Sequence, residues 1–228
     1  MNHKQLQQRL SALGHYEGPL NGLCDPPTKS AIIAALTAGP DYALTGQDVM
    51  TAAHDLSCDP AAVWAVYDVE STGDAFIAGR PAILFEPHRF SKATGHRFDA
   101  IDPALSSRSW DRSLYPRGQA ARWQQLVDAV ALDVDAGFAS ASYGGFQILG
   151  ENFDVCGAHD PWSFAWRQAQ TEGDQLDAFI AFVAGRGLKA ALQRRDWAAF
   201  ARGYNGTAFR ANKYDERLAA AYAKRRAA

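Results

Sequence analysis

The stretch Ala61-Ala62-Val63-Trp64-Ala65-Val66-Tyr67-Asp68-Val69-Glu70-Ser71-Thr72-Gly73 is an apolar run that ends on a carboxylate and then meets a glycine. Asp59-Pro60 ahead of it is a helix start: an N-cap acceptor, then the residue that tolerates the first helical position. Val63, Val66, Tyr67 and Glu70 fall at i, i+3, i+4 and i+7, so the spacing predicts a helix with Glu70 on its core-facing side. Gly73 is expected to close that helix in the left-handed conformation. Partly desolvated, and at the negative end of the helix dipole, Glu70 resists ionisation, and its pKa is expected to rise. A carboxylic acid that keeps its proton near neutral pH is what general-acid cleavage of an acetal or glycosidic bond requires. The competing reading is an ordinary solvated glutamate in a last helical turn.

A chain of 228 residues has room for one large or two small domains with real cores. Its 47% hydrophobic and 21% charged content is that of a soluble globular protein, and a net charge of −2 argues against non-specific nucleic-acid binding. Met1-Asn2-His3-Lys4-Gln5 has no apolar run behind its charge, so no secretory signal is expected. No stretch reaches the roughly 18 apolar residues of a membrane span, and stable membrane insertion is not expected. Cys24, Cys58 and Cys156 are scattered and odd in number, which reads as reduced thiols in a chain made in a cytoplasm. A monomer is expected.

From the N-terminus, Leu6, Leu10 and Leu13 predict a short amphipathic helix over 4–13, closed by Gly14. A glycine- and proline-punctuated loop follows, and Asp25-Pro26-Pro27-Thr28 opens a second helix with Ile32, Ile33 and Leu36. Gly39-Pro40-Asp41-Tyr42 reads as a turn near a domain boundary. Thr45 with Asp48 makes a shortened capping box for a helix bearing Val49, Ala52, Ala53 and Leu56. Ile83-Leu84-Phe85, bracketed by Pro81 and Pro87, suits a short edge strand or extended segment. Residues 91–118 lack a period and read as a long irregular insertion, a class that commonly carries function or motion. Helical spacing returns at Trp123, Leu126, Val127 and Val130, at Leu176, Phe179, Ile180 and Val183, and at Trp197, Phe200, Ala201 and Tyr204. Residues 210–228 hold six cations against two acids, suited either to an anionic surface or, more simply, to a helix end with a solvated tail.

Two sets of motifs carry resemblances. The "LGHYEGPLNG" loop and its flanking helices resemble the small peptidoglycan-binding module of wall hydrolases, through Leu13, Gly14, Gly18, Gly22 and Thr28. Asn21 replaces that family's usual Asp, and Cys24-Asp25-Pro26 alters its second turn. The resemblance implies wall binding by Tyr16, Gly18, Asn21, Gly22 and Thr28. The alternative is a helical cap packed on the main domain. Further on, "VESTG" (69–73), "ASYGGFQIL" (141–149) and "ARGYNG" (201–206) resemble, in order, the lysozyme-like superfamily of wall hydrolases. Ile83-Leu84-Phe85-Glu86-Pro87-His88 narrows the likeness to the phage-endolysin N-acetylmuramidase family, over nearly all of residues 50–222.

What the resemblance implies is a mainly α protein. A small three-helix wall-binding domain (1–42) would precede a lysozyme-like helical catalytic domain (43–228) with a short β or extended segment. It implies Glu70 as the catalytic acid, Ser142, Gly144, Phe146 and Gln147 lining a cleft, and Tyr204 and Asn205 on its far side. The chemistry of the residues fits these roles. Gly144-Gly145 lets backbone approach a sugar, Gln147 offers donor and acceptor to an N-acetyl group, and Tyr143 or Tyr204 offers an apolar face with a polar tip. Gln147 and Asn205 are equally suited to being buried amides that tie helices together. Glu86 is either the second carboxylate of a glycosidase or a structural one, bonded to loop amides or to His88. Asp74 is another nearby candidate, whereas Asp68 should point off the active face.

The leading expectation is an endolysin hydrolysing the β-1,4 bond between N-acetylmuramic acid and N-acetylglucosamine in peptidoglycan, without cofactor or metal. A lytic transglycosylase leaving 1,6-anhydro ends, or a non-catalytic wall-binding or virion protein, are the alternatives. Six scattered histidines without an H-x-x-x-H spacing argue against a zinc peptidase. The resemblance also implies synthesis in a host cytoplasm and access to the wall through a holin.

Overall fold

The structure, a computed structural model, describes residues 1–71 and 74–227. The closing role expected of Gly73 lies outside the described residues. Each helix start read from the sequence is present. Asn2 and Gln5 form a reciprocal capping box on α1 (His3–Ala12), and Asp25 caps α2 (Pro26–Ala35). Thr45 and Asp48 box α3 (Gly46–Leu56), and Asp59 caps α4 (Pro60–Glu70). After β1 (Phe76–Ile77), β2 (Arg80–Pro81), β3 (Ile83–Phe85) and α5 (Pro87–Ala93), the irregular segment leads into α6 (Gln119–Leu132) and α7 (Val134–Ala139). A hairpin of β4 (Ala141–Tyr143) and β5 (Ile148–Leu149) follows. The chain ends in α8 (Pro161–Gln168), α9 (Glu172–Gly185), α10 (Lys189–Arg194), α11 (Trp197–Asn205) and α12 (Tyr214–Ala227).

The β3 strand pairs antiparallel with β4 (Ile83 opposite Tyr143), and β4 with β5, so β3 is an edge strand as its flanking prolines imply. The sequence gives no sign of the hairpin, because two short strands joined by Gly144-Gly145-Phe146-Gln147 carry too few residues to display a period of two.

Residues 1–42 hold two helices, not three. Asp41 sits at φ 52° beyond Gly39-Pro40, and the next helix, α3, packs on α4 and α9. The connecting segment is pressed onto the α8–α9 corner. A Cβ at Gly39 would lie 1.9 Å from the Ala169 carbonyl, Asp41 N donates to Gln170 O at 3.0 Å, and Leu44 N donates to Glu172 Oε2 at 3.0 Å. Leu6, Leu10, Tyr16 and Ile32 belong to the same apolar core as the rest of the chain. Lys29–Asp128 (2.5 Å) and Arg9–Asp160 (2.7 Å) ion pairs flank that junction.

The loop residues of the N-terminal motif turn inward around Gln7, a fully buried amide. Its nitrogen donates to Leu23 O (2.9 Å), with Thr28 Oγ1 (3.1 Å) and Asn21 Oδ1 (3.2 Å) also in reach, and its oxygen accepts from Gly22 N (2.8 Å). Tyr16 and Thr28 are buried, and a Cβ at Gly18 would strike the Tyr16 ring. The motif is thus the internal scaffold of a turn. Asn21 is exposed, but its side-chain oxygen is already engaged, also accepting from Leu23 N at 2.9 Å.

The basic C-terminal segment is likewise no solvated tail. The α12 helix lies along α4, and Arg225 grips Asp68 with two bonds (2.6 and 2.5 Å) while its guanidinium sits 4.7 Å over the Trp64 ring. Arg226 and the Tyr222 hydroxyl both reach Asp59 at 3.1 Å. Asp68 faces this clamp and away from the Glu70 carboxyl, as its two-residue offset requires.

Gln7→Ala strands several buried or half-buried partners at once. It is expected to cost about 2–4 kcal/mol of unfolding free energy in urea titrations. A loss below about 0.5 kcal/mol, the level of an ordinary surface change, would mean that Gln7 does not organise the turn.

Candidate active site

Glu70 occupies the last turn of a helix that is buried nearly all round, and it is itself 9% exposed. Its Oε1 accepts a hydrogen bond from Asn205 Nδ2 at 2.8 Å. The adjacent Val69 carbonyl, one of those a helix end leaves without an intrahelical partner, accepts from Arg217 Nη2 at 2.8 Å. Burial raises the Glu70 pKa, while the Asn205 bond and the Arg217 charge pull it down; the balance leaves it raised from 4.5 to about 7. The carboxyl can therefore hold a proton at neutral pH and still be accommodated after giving it up. Asn205 Oδ1 is buried and has no hydrogen-bond partner among the described residues. A flip of the amide would let that oxygen accept from the protonated acid.

The three sequence motifs converge. Asn205 ends α11, and beside it the Tyr204 hydroxyl donates to the Phe146 carbonyl in the hairpin turn at 2.6 Å. The Phe146 ring is 1% exposed, stacked at 4.6 Å on Phe179 and edge-on at 5.4 Å to Tyr67 of α4. Tyr67 in turn donates to Glu172 Oε2 at 3.0 Å. Helix end, hairpin and α11 form a closed triangle of contacts with Glu70 at one corner.

Inside that triangle, several expected sugar contacts are framework. Tyr143 is fully buried and donates to Phe138 O at 2.9 Å, so it has no face to offer a ring. Phe146 is core. Gly144 (φ +70°) and Gly145 do permit a close approach, but to the protein's own side chains. A Cβ on Gly144 would lie 2.3 Å from Gln175, and one on Gly145 would lie 2.4 Å from the Tyr67 ring. Gln147 donates to Ala82 O (3.0 Å), just ahead of β3, and to Gly144 O (2.7 Å) in the hairpin turn, and accepts from Ser142 Oγ (2.9 Å), which spends both its N–H groups on backbone carbonyls. This amide thus ties the hairpin turn to the segment ahead of β3, and it is only partly buried. Tyr204 is half-buried among Phe179, Phe182 and Phe200, with its polar tip already bonded.

Glu86 stands at the β3–α5 junction, its backbone N donating to Ser140 O at 2.8 Å. Its carboxylate accepts from the Tyr115 hydroxyl and lies 3.2 Å from His88 Nδ1. Burial, reinforced by Arg89, holds His88 below its usual pKa against the pull of Glu86. Glu86 remains partly open to solvent. Both carboxyl groups act on one phenol: the Tyr214 pKa is raised by burial, then by Glu70, and also by Glu86. Asp74 is exposed beyond the end of α4.

Sequence reading missed Arg217, Tyr115 and Tyr214. None sits in a motif: Arg217 comes to the end of α4 from α12, Tyr115 to Glu86 from the irregular segment, and Tyr214 opens α12. Among the described residues no group of three or more His, Cys, Asp or Glu side chains could hold a metal ion, and no helix is long and apolar enough to cross a membrane.

A family model described as Muramidase, N-acetylmuramidase, matches residues 59–226. The match runs from the N-cap of α4 to Arg226, two residues that are themselves ion-paired. Among solved structures, the chain is similar to the crystal structure of the Burkholderia AP3 phage endolysin. The two are 32% identical with a TM-score of 0.72, over 99% of this chain and 96% of that one. No curated protein matches the chain.

The raised Glu70 pKa links acidity to stability. The unfolded chain loses this proton near 4.5 and the folded chain near 7, so the native state is destabilised progressively as pH rises through that window. The full cost, on the order of 3 kcal/mol, falls above it. Glu70→Gln is expected to match the parent in stability at pH 4 and to exceed it at pH 8, measured by urea unfolding. Equal differences at both pH values would refute the burial of an ionising acid.

Proposed function

Because this chain belongs to the N-acetylmuramidase family, we propose that it is an endolysin that cuts the β-1,4 bond between N-acetylmuramic acid and N-acetylglucosamine in peptidoglycan, with Glu70 as general acid. Family membership makes it a glycoside hydrolase of the bacterial wall. The observation that carries the finer assignment is the buried Glu70 carboxyl, raised to about 7 and bonded to Asn205.

In this reading Glu70 passes its proton to the glycosidic oxygen as the bond from C1 of N-acetylmuramic acid breaks, and positive charge develops on that sugar. The carboxylate left behind is stabilised by the Asn205 N–H and by Arg217. Water then adds its oxygen to C1. Its proton goes to a carboxylate, for which we propose Glu86, partly open to solvent and held by the Tyr115 hydroxyl. A transglycosylase would use the sugar's own 6-hydroxyl in place of water. Residues 1–42 act in this proposal as the wall-binding module ahead of a catalytic domain at 43–228, and access to the wall follows breach of the membrane by a holin.

Glu70→Gln is expected to lower the rate of wall clearance by at least about a thousandfold, with the fold retained by circular dichroism. The parent's activity should fall on an alkaline limb with an apparent pKa near 7. Mass spectrometry of the digest should find reducible muramic-acid ends. Anhydro ends would establish the transglycosylase, and an active Glu70→Gln would remove Glu70 from the chemistry.

A further inference from the structure

Of the six tryptophans, Trp64, Trp123, Trp162, Trp166 and Trp197 are buried or half-buried, whereas Trp110 is 62% exposed. An isolated apolar side chain at a surface needs no explanation. Trp110 differs in how it is held and in what it stands beside. Its ring lies 5.9 Å from that of Tyr115, inclined by 39°, and the Tyr115 hydroxyl is bonded to Glu86.

The irregular segment that carries it is anchored on both sides. Upstream, Asp99 accepts from Ser91 Oγ (2.7 Å) and Ser106 Oγ (2.6 Å), and Ser107 N donates to the Pro87 carbonyl at 3.3 Å. Just downstream, Asp111 caps a turn of 3-10 helix, and Gln125 of α6 donates to the Leu114 carbonyl at 2.9 Å. A loop without regular structure has freedom to fold an indole under itself. Here the anchors hold an indole in the open, beside the tyrosine whose hydroxyl is bonded to Glu86, the carboxylate proposed above to take the proton of water.

We propose that Trp110 is a stacking platform for a sugar ring of the peptidoglycan glycan strand, a substrate-binding position on the Glu86 side of the site. The inference rests on the glycosidase reading above. A pyranose has an apolar face of axial C–H bonds that an indole covers, and a rigid aromatic gives that contact with little loss of side-chain freedom. The neighbouring Tyr115 ring backs the platform and fixes its distance from Glu86. The bond to be cut is positioned by Glu70, so Trp110 contributes to holding the strand and not to breaking it.

The test compares Trp110→Ala and Trp110→Phe with the parent on soluble, uncross-linked glycan strands. Trp110→Ala is expected to raise KM on the order of tenfold with kcat within about twofold. Trp110→Phe should recover most of the loss, and the melting temperature of both should stay within about 2 °C of the parent's. In a Glu70→Gln background, a tetrasaccharide of alternating N-acetylglucosamine and N-acetylmuramic acid should shift the tryptophan fluorescence, and Trp110→Ala should remove that shift. An unchanged KM in Trp110→Ala, or a fluorescence response that survives it, overturns the platform even where Glu70→Gln is inactive. A lowered melting temperature in Trp110→Ala overturns it in favour of a supporting role for the ring. A Glu70→Gln chain that still cleaves the strands would count instead against the glycosidase reading.

Discussion

A carboxyl group held at the negative end of a helix, out of water, is electrostatically the wrong group in the wrong place. Glu70 persists there because the surrounding contacts stop short of neutralising it. One amide N–H and one guanidinium, the latter bonded to the neighbouring carbonyl, offset part of the burial penalty. Had Arg217 bonded the carboxylate itself, the acid would be an ion at neutral pH. Directed one residue away, it favours the ion only at a distance, and the proton stays available. The arrangement of the surrounding helices follows from the need to keep that balance fixed.

The fixing is done from two sides. The hairpin turn presses onto α4 through Gly145 and Phe146 and is tied to α11 by Tyr204, so Asn205 arrives at Glu70 from a rigid neighbour. On the other side α12 runs along α4. Surface ion pairs such as Arg225–Asp68 contribute little individually. Here bidentate geometry, ring contact with Trp64 and the pairing at Asp59 repeat along one helix and set its register. That register determines where Arg217 lands.

The helical frame was legible because caps and 3.6-residue spacing are local: Asp59-Pro60, Thr45 with Asp48, and the Trp123 and Trp197 runs each mark an element unaided. Glu70 was legible for the same reason, being the acid on the apolar face of a strongly marked helix. The roles of Tyr143, Phe146 and Gln147 were not, since a motif specifies that residues gather and says nothing of which way each side chain turns. Polar types such as Gln7 and Gln147 look ligand-ready in a sequence, and the burial of Gln7 and the internal hydrogen bonds of both are properties of the fold alone. Arg217 is the opposite case. One arginine in a basic segment reads as tail, and only the packing of α12 on α4 turns it toward the site.

That packing has a consequence for biosynthesis. A ribosome releases α4 early and α12 late, with the whole hairpin and α11 emerging between them, an interval on the order of ten seconds at ordinary elongation rates. Until then α4 lacks both the Arg217 guanidinium and the cover of α12, and an uncovered glutamate ionises at its ordinary value. A nascent chain is therefore without a protonated Glu70 at neutral pH until α12 docks, so the carboxyl's setting depends on a helix made well after its own.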